Sequence, residues 1–362
     1  MAKKEQGGGD LLDRSLSSNR SSAVNQDLSN LVGDLSFTKA LRPGFHSYWK
    51  STNHHSNLYR KEHNMIKGDE LRLVTISENT ASWLWLYGEW GLSILVQVDG
   101  MNLLMDAGLG YSTVHNAEAM GFDLANVDKI LISHGHTDHT GGLRGVLERM
   151  RLTVGHSNFL EKREGEIEII AHPEIWGPKY ILHPGDRRHS FRGIPFQKLE
   201  LEERQGAQFR HSREPVWLTE DIVWSGEIPM VNDFEKGTAI CYLREGENEF
   251  VPDLVNDDAA LYIKTELGLV IILGCAHHGT INTIHHAQQL TGVDEVYMVV
   301  GGTHLVNSSE YQLSSTIAEL KKIGVKRVGV SHCTGMKESM RLAREFGDTF
   351  FFNNAGTVVI FP

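Results

Sequence analysis

Along this 362-residue chain, apolar positions are scattered before about residue 70 and regularly spaced after it. The early texture is typified by Ser15-Leu16-Ser17-Ser18-Asn19-Arg20-Ser21-Ser22. A segment so rich in Ser, Asn, Gly and charge buries too little apolar surface to offset its ordering entropy. Residues 1–68 are therefore expected to be a mostly disordered polar extension, and residues 69–362 the folded domain. Within the extension, Phe45-His46-Ser47-Tyr48-Trp49 is a short stretch able to dock on the body, and His54, His55 and His63 read as solvated loop residues.

From Leu71 the pattern becomes strand-like. Leu71 to Ile76, Trp83 to Tyr87 and Leu92 to Val98 read as strands, and a turn at Asp99-Gly100 pairs the last with Asn102 to Met105. Asn116 to Met120 reads as a short helix closed by Gly121, Val127 to Ile132 as a strand and Leu143 to Met150 as a helix. Ile167 to Ile170 is a further strand. Residues 182–214 are charged and turn-rich and carry no clear period. Val223-Trp224 precedes Ser225-Gly226-Glu227-Ile228-Pro229, and acidic residues from Glu245 to Asp253 suggest a surface excursion.

The last third is regular. Ala260 to Lys264 and Leu269 to Leu273 form a hairpin pattern across Glu266-Leu267-Gly268. Ile281 to Leu290, Ser309 to Ile323 and Met336 to Phe346 have helical spacing, with Gly324 and Gly347 as stops. Glu295 to Val300, Val325 to Val330, Thr349 to Phe352 and Thr357 to Phe361 read as strands. Antiparallel hairpins mixed with strand–helix repeats predict an α+β fold, with sheets packed between helices.

Candidate chemistry concentrates in Ser133-His134-Gly135-His136-Thr137-Asp138-His139-Thr140-Gly141-Gly142. Alternate residues of an extended segment share a face, so His134 and His136 can aim the same way. Asp138 and His139, at the turn into the next helix, can point into the same space. Three imidazoles and a carboxylate suit zinc, or iron and manganese, better than calcium or magnesium. More ligands must come from later strand ends, where sites in such sheets gather. His277, with His278 as the alternative, follows one apolar strand, and His332 follows another. His304 follows a third, as a ligand or a substrate-facing proton donor. Cys275 reads as a small residue packed behind the metals or as a thiolate ligand. Asp106, at a strand end, is placed to hydrogen-bond a ligating imidazole and fix its tautomer. His285 and His286 read as exposed, and Glu227 as a site residue or a salt-bridged structural carboxylate.

Composition narrows the picture. A net charge of −11 speaks against a nucleic-acid partner. No run of apolar residues is long enough to cross a membrane, and no apolar segment near Met1 reads as a secretory signal. Three cysteines, Cys241, Cys275 and Cys333, do not make a disulfide framework, which points to the cytoplasm. The partner expected is a small-molecule substrate. Oligomeric state is not set by the sequence.

His134-x-His136-x-Asp138-His139, Asp106 before it and His332 at a late strand end resemble the metallo-β-lactamase fold superfamily. Further stretches resemble its dihydropterin-ribofuranosylaminobenzene 5′-phosphate synthase branch, of the methanopterin-pathway type. They are Met105-Asp106-Ala107-Gly108, Gly226-Glu227-Ile228-Pro229 with Asp233-Phe234-Glu235, Gly274-Cys275-Ala276-His277, Gly301-Gly302-Thr303-His304-Leu305 and His332-Cys333-Thr334-Gly335. The resemblance runs from about residue 70 to the C-terminus. It implies a four-layer αββα sandwich and a dinuclear site held by His134, His136, Asp138, His139, His277 and His332. Cys275 stands near the place of a bridging aspartate. The chain departs from the branch at Met230, where Arg is usual, at Trp90, where His is usual, and at His278, where Pro is usual.

The expected function is metal-dependent hydrolysis of a phosphate ester or related small-molecule bond. Two metals, most suitably zinc, would activate a water, while Asp138 orients the nucleophile and His304 protonates the leaving group. The alternatives are a transferase of the synthase type, whose metals bind a pyrophosphate leaving group, and a non-catalytic metal-binding protein.

Overall fold

Two seven-stranded sheets lie face to face, each with an antiparallel half and a parallel half. In the computed structural model, residues 65–362 are described, apart from 155–159, 163–164, 184, 237–240 and 248. The polar segment to residue 64, with His54, His55 and His63, lies outside them. Ile66 is already buried and bridges Thr265.

The first sheet runs Ala207–His211, Ile167–Ala171, Lys129–Leu131, Met101–Met105, Ser93–Val98, Leu71–Ser77, Val358–Ile360 in space. The first four of these are mutually parallel, and the remaining neighbours pair antiparallel. The second runs Val216–Trp217, Ile222–Trp224, Ala260–Thr265, Gly268–Leu273, Val296–Gly302, Arg327–Ser331, Phe350–Phe352. It is antiparallel up to Gly268–Leu273 and parallel from there on.

Strand alternation explains the layering. Leu71, Leu73, Ile94, Val96 and Leu103 point inward and meet Leu261, Ile263, Val270, Ile272 and Val300 of the other sheet. Val74, Ile76, Leu95, Leu104 and Ile130 point outward, under Leu143, Val146, Leu147 and Leu201 of the covering helices. The second sheet repeats the arrangement, with Tyr262, Ile271 and Val299 under Ile281, Ile284, Leu313 and Ile317. The result is the αββα sandwich that the resemblance implies. Trp224, fully buried between the sheets, donates its Nε1–H to Ile132 O at 3.1 Å, satisfying a group that is costly to leave unpaired there.

The fold departs from, or adds to, the sequence reading at three places. Trp83 to Tyr87 is a turn-containing loop with exposed side chains, because consecutive large apolar residues there have no sheet face to alternate over. The excursion Glu245 to Asp253 ends in the strand Phe250–Pro252 of a small four-stranded sheet, and Asp253 is buried. The unassigned 182–214 region holds the helix Lys198–Gln205 and the edge strand Ala207–His211. Among the described residues no helix is long and apolar enough to cross a membrane.

The carboxyl ends of the central strands meet at one edge of the sandwich. Lys129–Leu131 leads to His134, Met101–Met105 to Asp106, Gly268–Leu273 to Cys275 and His277, Val296–Gly302 to His304, and Arg327–Ser331 to His332.

Candidate metal centre

The His134 loop is held by what its backbone and neighbours can donate. Asp106 accepts from Ser133 N at 2.7 Å through one oxygen and from Ser133 Oγ at 2.6 Å through the other. The serine hydroxyl has a single hydrogen, now spent on Asp106, so at 2.9 Å it accepts from His134 Nδ1–H. The second Asp106 oxygen also lies 2.7 Å from His139 Nδ1, which must therefore carry the proton. One carboxylate thus orients His139 directly and His134 through Ser133, and turns both Nε2 atoms toward the same space. Asp106 meets a candidate-ligand imidazole, as the sequence suggested: that of His139 directly and that of His134 through Ser133.

His332 is set by a different pair. Asn79 Nδ2 donates to His332 O at 3.2 Å, so its amide oxygen is the acceptor facing His332 Nδ1 at 2.9 Å. Glu78 accepts from His332 N at 2.7 Å. His332 Nε2 then points at Asp138 Oδ2, 3.2 Å away. Asp106, Ala276, His304 and His332 all have positive φ, between 47° and 61°. Such backbone strain is concentrated where a site over-determines the geometry.

The imidazoles converge in two groups. His134 Nε2 and His277 Nε2 are 3.2 Å apart, and the His136 ring lies 4.7 Å from that of His134 and 5.0 Å from that of His277. His139 Nε2 lies 3.1 Å from Cys275 Sγ, with the His332 ring 5.0 Å from the His139 ring. Cys275 is common to both: its sulfur groups with His134 and His277, and with His139 and His332, all ligand atoms within 4.8 Å. His277 lies in the cluster and His278 does not: the ring nitrogens of His278 face the carbonyls of Ile228 and Leu254. A buried carboxylate holds this corner in place: Glu235 accepts from Ile281 N and Asn282 N, each at 2.9 Å, at the start of the helix Thr280–Thr291.

The electrostatics match a cation site. Burial and the neighbouring imidazoles hold His134 and His277 well below the usual histidine range. Burial lowers His136 to about 4, partly opposed by Asp138. For His139 burial acts the same way, but Asp106 outweighs it and pushes the pKa up to about 9. Burial raises Asp138, yet the His332 hydrogen bond and the surrounding imidazoles win and lower it. The residues fit divalent metals: buried His136 Nε2 has no hydrogen-bond partner, His332 Nε2 faces only Asp138, and the donors are imidazole, carboxylate and sulfur.

The other candidates lie around this core. The His304 ring sits 4.2 Å from that of His277, with Nδ1 buried and without a hydrogen-bond partner. Burial lowers its pKa, but Cys333, Asp258 and Asp138 outweigh that and raise it. Glu227 pairs with His172 and Arg213, and lines a cavity of about 710 Å³ with Arg213, Met230 and His278. His285 is exposed, whereas His286 is half-buried against Tyr262.

Sequence reasoning missed several supports. Lys179 is buried, donating to Asp257 Oδ1 at 2.7 Å and Asp253 Oδ2 at 3.1 Å, and Asp257 Oδ2 accepts from Gly135 N at 2.7 Å. Glu78 and Asn79 follow the end of the strand Leu71–Ser77, a position whose rule pointed to His277 and His332. Nothing local distinguishes Lys179.

Residues 90–163 match the model of the metallo-β-lactamase superfamily. Over 309 residues the chain is 31% identical to 7,8-dihydropterin-6-methyl-4-(β-D-ribofuranosyl)-aminobenzene-5′-phosphate synthase of Methanocaldococcus jannaschii, covering 82% of this chain and 99% of that protein. A ribonuclease Z of Clostridium kluyveri is 38% identical over 69 residues, 19% of this chain and 21% of that enzyme. The solved structure of Tm1679, described as a metal-dependent hydrolase of the β-lactamase superfamily, superposes with a TM-score of 0.64 at 25% identity. It covers 80% of this chain and 98% of that one.

Proposed function

Because this chain belongs to the metallo-β-lactamase superfamily, we propose that it is a metal-dependent enzyme that hydrolyses a phosphate ester or related bond of a small molecule. The observation that carries this reading is the pair of buried imidazole groups converging on Cys275. His134, His136 and His277 would hold one divalent ion, and Asp138, His139 and His332 a second. Zinc suits the donor set best, with iron and manganese as alternatives. When bound, the ions would supply Lewis acidity and a more acidic water.

The chain's own groups do the rest. Asp106 and Asn79 engage the far nitrogen of His139 and His332, so that Nε2 is the nitrogen left to face a metal. Asp138 orients the attacking water. His304, whose pKa Cys333 and nearby carboxylates raise against the effect of burial, would supply the proton to the leaving oxygen. A cytoplasmic setting fits three cysteines that are buried and unpaired.

A second reading, transfer rather than hydrolysis, is favoured by the 31% identity to a synthase over 82% of this chain. In that case the metals would bind a pyrophosphate leaving group. Met230, where that branch usually carries Arg, weighs against it.

Metal analysis of protein purified without chelator, followed by a phosphoester and lactone panel, tests the first reading. Close to two divalent ions per chain and turnover of a phosphoester are expected. Incubation with a dihydropterin pyrophosphate and an aminobenzene ribofuranosyl phosphate acceptor tests the second. A product containing both halves would replace hydrolysis by transfer, and metal binding with neither reaction would overturn the enzyme reading.

A further inference from the structure

The strands Gly268–Leu273, Val296–Gly302 and Arg327–Ser331 are parallel neighbours, with Leu273 beside Gly301 and Gly302 beside Ser331. The loops that leave them therefore start side by side. Cys275, His304 and Cys333 each stand two residues past the end of their own strand, so the same register carries them together. Cys275 Sγ, Cys333 Sγ and a ring nitrogen of His304 lie within 4.8 Å of one another. This group adjoins the two imidazole groups through Cys275 but differs from both in kind. It holds two sulfurs and one nitrogen, and Cys333 belongs to neither of the others.

The arrangement is built, not incidental. A Cβ on Gly302 would fall 2.7 Å from Cys333 Sγ and 3.3 Å from Cys275 Cα, so a larger residue there would push the two cysteines apart. Thr303 donates to Thr334 Oγ1 through its N–H at 3.3 Å and its hydroxyl at 2.9 Å, which ties two of the loops together. Cys333 Sγ accepts from His304 N at 3.3 Å and turns its hydrogen toward Cys275 O, 3.6 Å away. Both cysteines are buried, and His304 closes the half-buried side. His304 Nδ1 is buried with no hydrogen-bond partner among the described residues, a costly condition that a bound ion relieves.

We propose that Cys275, His304 and Cys333 form a third cation site, for a soft monovalent ion of the Cu+ kind. Thiolate sulfur selects such ions, whereas a closed zinc site takes four donors and this group supplies three. Binding releases the two thiol protons to solvent. Two thiolates and one monovalent cation then leave a single negative charge, so divalent ions alongside do not oppose the occupant. The site adds to the metal centre of the proposed function and holds for hydrolysis and transfer alike.

The test titrates the full-length, zinc-loaded protein with Cu+ under anaerobic conditions, against the colorimetric chelator bicinchoninate, and then measures zinc and copper per chain. One Cu+ is expected, with zinc retained. Cys333→Ser should weaken copper binding by at least the roughly 10–100-fold that loss of an outer-shell partner already costs a metal site. Cys241→Ser, in the small four-stranded sheet, should leave it as it was. X-ray absorption at copper in the unsubstituted protein, which no folding defect confounds, should show two sulfurs and one imidazole nitrogen. Copper ringed by imidazole alone, copper that displaces zinc ion for ion, binding that Cys333→Ser leaves unchanged, or no binding overturns the site. Cys333-dependent copper binding by a protein that holds no zinc leaves this site standing and removes the dinuclear centre.

Discussion

Replacing Lys179 by Met should destabilise the protein more than any change of equal size on its surface. Lys179 is 1% exposed, and its ammonium is shared by Asp257 at 2.7 Å and Asp253 at 3.1 Å, both carboxylates buried. Met keeps the length of the side chain and removes the charge. Taking one partner from a buried ion pair costs about 3–5 kcal/mol, and here two carboxylates lose their counter-charge, which places the cost at the upper end. At about 2–4 °C per kcal/mol for a mid-sized domain, and less for a larger one, the midpoint should fall by roughly 6–12 °C. The measurements are thermal and urea unfolding of metal-stripped protein, so that metal linkage does not mask the loss, with an unchanged urea slope.

The pH dependence supplies a sign. Burial raises the Asp257 pKa, but Lys179 outweighs it and leaves it below the ordinary value. Its stabilisation is thus present above the unfolded carboxyl pKa, about 4, and lost as pH falls. Burial lowers Lys179, but the two aspartates raise it above its ordinary value, so its contribution is lost only as pH rises past that folded pKa. Between about pH 5 and 9 the pair contributes a constant amount. In Lys179→Met the unpaired carboxylates titrate upward, and the variant should recover part of its deficit between pH 8 and pH 5. A deficit below about 1 kcal/mol, or one that grows on acidification, would refute the reasoning. Asp257→Ala removes in addition the acceptor of the Gly135 amide between His134 and His136, and should lower metal affinity by about 10–100-fold.

Other expectations follow from the same geometry. His136→Ala should lose bound metal by elemental analysis together with activity, and full retention of both would remove His136 from the ligand set. Gly142→Ala would place a methyl group against the carbonyl of Ala107, where rigid backbone cannot yield, so soluble yield and thermal midpoint should both drop. Glu89 accepts from the amides of Leu109, Gly110, Tyr111 and Ser112. Glu89→Gln turns donors toward donors there, and should cost about 3 kcal/mol in denaturant unfolding; a loss below half of that would contradict the geometry.

Much of the fold was legible because it is local. The hairpin Ser93–Val98 with Met101–Met105 follows from alternation around Asp99-Gly100. The helix Glu310–Ile323 follows from its period, with Ser309 accepting from Gln312 N at one end and Gly324 in the left-handed region at the other. Trp83 to Tyr87 misled because β-propensity measures fit to a half-buried pleated surface, and no such surface is offered there. The helix Lys198–Gln205 escaped notice because Leu201 is its one buried residue, too few for an apolar stripe.

The sequence by itself determined which chemistry was present. Imidazole, carboxylate and thiol stand at the ends of apolar strands, and the spacing of His134, His136, Asp138 and His139 states their shared direction. Only the tertiary structure decided how they combine. It brings Cys275 between two groups of imidazoles that reach it from both sheets. It brings His277 into the cluster while both nitrogens of His278 face distant carbonyls, and sets Asp106 against His139 directly and against His134 through Ser133. It also sets Trp90 against Asp138 and Lys179 beneath Gly135 through Asp257. A strand's period names the face on which a side chain stands, but its hydrogen-bond partner is chosen by the strands that arrive beside it.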